Sequence, residues 1–182
     1  MTIQKTPFEG LFEITPEIFH DNRGYFMESF RSETLSELGI NTQFVQDNQS
    51  FSKRNVIRGL HLQVTPHEQI KLVRAVSGKV LDVVVDLRKE SPTFGEHFKC
   101  ILDGERGNML YVPAGFAHGI SVLEDAIFAY KCSAYYNKES EEGIIFNDPD
   151  LNIDWEVNEP ILSKKDMLFI TFKEFVKKYD LA

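Results

Sequence analysis

Short apolar and aromatic runs recur along this chain between turn signals, at spacings of about ten residues, the rhythm of a β-sandwich or barrel. The clearest run is Val80-Leu81-Asp82-Val83-Val84-Val85-Asp86-Leu87, which follows the turn Ser77-Gly78-Lys79 and stops before Ser91-Pro92-Thr93-Phe94-Gly95. Its apolar sequence is broken by Asp82 and Asp86, and Val83 and Val85 face one side together. Further strands are predicted over Ile70 to Ala75, His97 to Leu102, Met109 to Val112 and Ile127 to Ser133. Helical periodicity is scarce. It is confined to Ser32 to Leu38, with Ser32 as the expected cap, Ser163 to Met167, and Phe172 to Tyr179. The pattern predicts one all-β domain over residues 1–182, a sandwich or barrel with a few short helices.

Composition sharpens this picture. The 15 Phe and 6 Tyr are spread evenly, as strand-rich packing requires. A net charge of −8 argues against a broad nucleic-acid or anionic-membrane surface, while leaving room for one small anionic ligand held by a few clustered cations. Cys100 and Cys132 form neither a CxxC pair nor a disulfide framework. No apolar run approaches the roughly 18 residues needed to cross a bilayer, and Met1 to Pro7 lacks a signal-peptide core. A cytoplasmic protein is the expectation.

Three segments stand out chemically. In Arg58-Gly59-Leu60-His61-Leu62-Gln63, strand alternation puts Gly59, His61 and Gln63 on one face and the leucines on the other. In the segment from Gly107 to Gly119, glycines flanking Pro113 permit a tight turn that aims His118 back at the sheet. In Tyr130-Lys131-Cys132-Ser133-Ala134-Tyr135-Tyr136, Tyr130 shares a face with Cys132 and Ala134, and its hydroxyl can donate a proton inside a pocket. A single strand histidine is more often packed than catalytic, and a barrel tyrosine is usually core. Order and spacing carry the reading further than any one residue.

The spacing of Gly107, Pro113, Gly115 and His118 resembles the second cupin motif. Metal-binding cupins carry His-x-His and a following Glu in the first motif; here the matching residues are His61-Leu62-Gln63 and Glu68. A metal set of His61, Glu68 and His118 is the weaker reading, because Gln replaces one imidazole. The closer resemblance is to the dTDP-4-dehydrorhamnose 3,5-epimerases, a metal-free cupin family, and it covers nearly the full chain. It rests on ordered pieces: Phe19 to Glu28, Phe44 to Ser50, Arg58 to Gln63, Gln69 to Arg74, Asp86-Leu87-Arg88 with Ser91 to Gly95, Pro113 to Gly119, the tyrosine segment, Asp148-Pro149 with Ile153-Asp154-Trp155, and Leu162 to Asp166.

The resemblance implies a cupin-type jelly-roll barrel, a homodimer with strand exchange, and a nucleotide-diphosphate sugar as substrate, with no metal or redox cofactor. It implies that His61 is the general base, Asp166 its orienting carboxylate, Lys71 the cation at the enolate oxygen and Tyr130 the returning acid. Arg23, Arg58 and Gln46 resemble diphosphate and sugar contacts; Phe26, Glu28, Asn48, His118 and Tyr136 resemble further pocket residues. The Glu139 to Glu142 run reads as a solvated loop, and Lys131, Lys164 and Lys165 as surface charge. Rival readings are epimerisation at one carbon only, a 3,4-ketoisomerase, a non-catalytic sugar-nucleotide-binding cupin and a metal-dependent dioxygenase.

Overall fold

The computed structural model describes residues 1–37 and 39–181. In chain order its strands are β1 Thr2–Lys5, β2 Phe12–Thr15, β3 Ile18–Asp21, β4 Gly24–Met27, β5 Gln46–Ser52, β6 Ile57–Gln63 and β7 Lys71–Ser77. They continue as β8 Lys79–Asp86, β9 His97–Asp103, β10 Met109–Val112, β11 Phe116–Val122, β12 Ala126–Cys132 and β13 Glu141–Gly143. Pairing is antiparallel throughout the sheets, in the orders β1-β2-β10-β7-β12-β5 and β13-β6-β11-β8-β9, with β3-β4 as a separate hairpin. The two sheets face each other as a sandwich of the cupin kind, as expected.

Between the sheets lie Val73 and Ala75 of β7, Val80 and Val84 of β8, Leu110 and Val112 of β10, Phe116, Ile120 and Val122 of β11, and Phe128 of β12. The outer face of the five-stranded sheet is covered as well. Leu60, Leu62, Leu81, Val83 and Val85 pack there against Ile144, Leu151, Trp155 and Phe175 from the C-terminal segment. Strand β8 is therefore buried on both faces, which explains its nearly continuous valines. Val83 and Val85 do share a face.

The predicted strands recur within one or two residues of the observed ones. The first helix, α1, spans Ser32–Ser36; its cap position is Arg31 rather than Ser32, and it has no side-chain cap bond. Leu38, the end of that predicted helix, lies outside the described residues. The second, α2, spans Phe172–Lys178 and opens on a capping box made by Thr171 and Glu174. The predicted helix from Ser163 shrinks to a 3-10 turn at Asp166–Leu168. Among the described residues no helix is long and apolar enough to cross a membrane.

Candidate active site

Strand β6 brings the site together through an irregularity. Opposite it on β11, His118 pairs with His61 and Ile120 with Arg58, so two steps on one strand match three on the other. This bulge resets the alternation. Ile57 and Leu60 both pack into the outer core, whereas simple alternation would separate them, and Arg58 is released from the outer face to bond Ser52 Oγ at 2.9 Å. The pivot is Gly59, at φ +130°, where a Cβ would lie 2.5 Å from Gly119 Cα. Only glycine fits that backbone and that approach.

Beyond the bulge, His61 turns inward. Its Nε2 lies 2.9 Å from Asp166 Oδ1, across 105 residues of sequence. The carboxylate is held by the 3-10 turn, whose Asp166 N–H donates to Ser163 Oγ at 3.1 Å, and its side chain is 5% exposed. Burial acts to raise the Asp166 carboxyl; hydrogen bonding and charge from His61, with bonds from Ser163 and the Gly59 N–H, outweigh it and hold the group below the ordinary carboxylate range. Phe169 then packs edge-on against the imidazole, with centroids 5.3 Å apart. It fits because Gly143, opposite His61 on β13, has no Cβ; one would sit 2.5 Å from the Phe169 ring. The ring is thus fixed in rotation by a carboxylate and in position by an aromatic edge.

A cavity of about 90 Å³ opens beside His61. Its lining includes Gln46, Asn48, Lys71, Tyr130, Tyr136 and Glu141. Gln46 donates to Asn48 Oδ1 and accepts the Tyr136 N–H. Gln63 also borders the cavity but is occupied: it donates to His67 O and Tyr135 O and accepts from Asn137 N. It anchors the tyrosine segment. Lys71 borders the cavity half-buried, and burial pushes its ammonium below the usual lysine range; Cys132, Asp82 and Glu141 act the other way. Burial also pushes the Cys132 thiol up, so it stays neutral, and the two carboxylates are the charges that sustain the ammonium. Burial likewise raises the Tyr130 hydroxyl, which keeps its proton at neutral pH.

One residue of the run read as a solvated loop belongs here instead. Glu141 lies in β13 opposite Gln63, on the cavity side, and accepts from Tyr136 OH at 2.7 Å and from Lys165. Glu142, one residue on, points away to Lys178. Their alternation was the available signal, hidden in a run too short and too acidic to read as a strand. His118 is 8% exposed and bonds Asp82, which sequence reasoning noted only as a break in an apolar run. The metal alternative is dispersed: His61 bonds Asp166, His118 bonds Asp82, and Glu68 accepts from Thr65 at 2.5 Å. Among the described residues no group of three or more His, Cys, Asp or Glu is placed to hold a metal.

Arg23, Phe26 and Glu28 are not brought to this cavity. Phe26 is on the β3-β4 hairpin and 69% exposed; Arg23, in its turn, is 85% exposed at the side chain and bonded to Asp21. Glu28, just past β4, pairs with Arg31. A larger groove of about 440 Å³ shares Asn48 and Tyr130 with the cavity but contains neither His61 nor Lys71.

What this arrangement supplies is a carboxylate-oriented imidazole, a half-buried amine and a protonated phenol around one small space. Residues 5–174 match the family model for dTDP-4-dehydrorhamnose 3,5-epimerase. The chain is 47% identical over 169 residues to the enzyme of that name from Shigella flexneri, covering 92% of this chain and 93% of the relative. The crystal structure of the Elizabethkingia anophelis enzyme matches with a TM-score of 0.91 at 49% identity, over 96% of this chain and 97% of that one. A Legionella pneumophila dTDP-6-deoxy-D-glucose-3,5-epimerase, solved in complex with dTDP-4-keto-L-rhamnose, matches with a TM-score of 0.91 at 46% identity, over 94% and 93%. The chain belongs to the dTDP-4-dehydrorhamnose 3,5-epimerase family.

Proposed function

We propose that this protein, acting as one domain, inverts carbons 3 and 5 of a nucleotide-linked 4-keto-6-deoxyhexose, as in conversion of dTDP-4-dehydro-6-deoxyglucose to dTDP-4-dehydrorhamnose. The observation that carries this is the His61–Asp166 pair opening onto a cavity shared with Lys71 and Tyr130. The 4-ketone acidifies both neighbouring carbons. His61 removes each proton in turn through the ring nitrogen that does not face Asp166, and the carboxylate stabilises the imidazolium formed. Lys71 holds the enolate oxygen, a role typically worth about 3–4 kcal/mol. Tyr130 returns a proton from the opposite face. No electrons leave the substrate, so the reaction requires no redox partner.

The same reading includes a homodimer with strand exchange. A space of about 90 Å³ holds part of a hexose, whereas small-molecule sites usually run to about 300 Å³ or more. The missing walls would be Arg23, Phe26 and Glu28, displayed on a hairpin whose Phe19, Tyr25 and Phe26 are all more than half exposed. Delivered by a second copy, Arg23 would join Arg58 at the diphosphate, where a guanidinium fork gives paired, charge-assisted bonds.

The test is incubation with dTDP-4-keto-6-deoxyglucose in deuterated water, followed by NMR. Wild type is expected to take up deuterium at carbons 3 and 5. His61→Asn is expected to abolish both, and Tyr130→Phe to retain exchange but lose inversion at carbon 5. Label at one carbon only would replace this reading with single-carbon epimerisation; unchanged exchange in His61→Asn would remove the base.

A further inference from the structure

Strand β8 carries Asp82 and Asp86, both fully buried, in very different surroundings. Asp86 ends the strand and accepts from Arg88, Ser91 and Thr93. Every oxygen is used, and the residue ties down a loop. Asp82 sits mid-strand, on the same face as Val80 and Val84 of the inner core. Its Oδ2 lies 2.9 Å from His118 Nε2. Its Oδ1 is the one buried side-chain polar atom without a partner among the described residues. Valine here would complete an apolar run and bury no charge. A half-satisfied carboxylate in a core is a cost to stability, and such costs concentrate at functional sites.

Its single partner points to the function. His118 lies directly opposite His61 in the β6–β11 ladder, and directly opposed side chains of an antiparallel pair leave the sheet on the same face. His118 therefore enters the interior that holds His61. Its ring is stacked on Phe128, with centroids 6.1 Å apart and planes 20° from parallel. The stack fixes the plane of the imidazole but leaves open a half-turn about its Cβ–Cγ bond, which exchanges the two edges of the ring. The bond to Asp82 removes that freedom.

We infer that Asp82 is a positioning residue of the epimerisation: it takes the Nε2–H of His118 and so presents the ring's Nδ1 to the pocket as a fixed acceptor for a hydroxyl of the sugar ring. This rests on the proposed reaction. It explains why a carboxylate stands among valines. Asp82 also adds one of the negative charges that sustain the Lys71 ammonium, so one side chain serves two groups around the sugar.

The experiment compares wild type with Asp82→Asn. Misplacing a reacting group by about 1 Å costs about 100-fold, and a loss of about that size is expected in kcat for dTDP-4-keto-6-deoxyglucose, with KM changed less than about threefold. The melting temperature should hold or rise, since the variant no longer buries a charge. A folded Asp82→Asn with kcat within about threefold of wild type would overturn the inference. The second readout needs no variant beyond an assignment control. Nitrogen-15 NMR of the intact enzyme, with His118 assigned through His118→Gln, should show Nε2 protonated and Nδ1 bare; a bare Nε2 would overturn it even if Asp82→Asn failed to fold. Absence of deuterium exchange in wild type would instead discard the epimerase reading and leave the His118 spectrum to be judged alone.

Discussion

In the proposed mechanism Asp166 acts through where it holds its partner. Its carboxyl titrates below the ordinary carboxylate range, so it remains an acceptor for the imidazole N–H across the neutral and mildly acidic range. Asparagine there keeps the shape but can offer an N–H in place of the second oxygen, which favours the wrong tautomer of His61. Asp166→Asn is therefore expected to lower kcat by about 10³–10⁴-fold without lowering the melting temperature by more than a few degrees; a steady-state assay paired with a thermal melt checks both. Neither half of the pair announces itself in sequence. His61 stands in an alternating strand where the packed reading is the commoner one. Asp166 is one more acid near a C-terminus, and its 105-residue separation from His61 is closed only by the way the C-terminal segment wraps the outer sheet.

At the scale of elements, β6 and the loop after β8 make contrasting demands. Strand β6 needs its bulge to send Ile57 and Leu60 outward and His61 inward, and the bulge needs Gly59. Gly59→Ala meets Gly119 at 2.5 Å and an unfavourable φ, so it should destabilise the fold by about 3 kcal/mol, read as a shift in the urea midpoint. The loop after β8 needs Asp86. Burial acts to raise its carboxyl, but bonds from Arg88, Ser91 and Thr93 hold it below the ordinary range. A depressed folded-state value means the stabilisation is complete above the unfolded value of about 3.9 and is lost as pH falls through the lower folded one. Asp86→Asn leaves Arg88 without its partner over the Phe116 ring and should cost about 3–5 kcal/mol. The difference between variant and wild type should narrow below pH 4 in denaturant titrations; a constant difference across pH would show that the carboxylate's charge plays no part. The motif from Asp86 to Gly95 thus reads as family signature in the sequence and as a loop staple in the structure.

The whole molecule adds the question of where the site ends. Arg23 and Phe26 stand on an exposed hairpin, away from the cavity they are expected to wall. In a strand-exchanged dimer, Arg23→Ala with Phe26→Ala should raise KM about tenfold with kcat little changed, the signature of lost uniform binding. Mixing that variant with His61→Asn should, at substrate concentrations well below KM, give activity above either alone, because one heterodimer site draws both intact halves. A monomer in sedimentation at assay concentrations would sink this arrangement.

The strand rhythm, the opposite faces taken by the leucines and by His61 in β6, and the ordered motifs were set by local chemistry: period-2 alternation, turn residues and spacing act over a few positions and can be read there. The bulge is not of that kind, since one extra residue reverses an alternation without changing composition. Nor is the cavity-facing side of Glu141, in a strand of three residues that forms only because β6 offers it an edge. The His61–Asp166 and His118–Asp82 pairs depend on which strands and turns the sandwich stacks together. Contacts between residues far apart in the chain are decided by packing, and packing is settled only when the whole core closes.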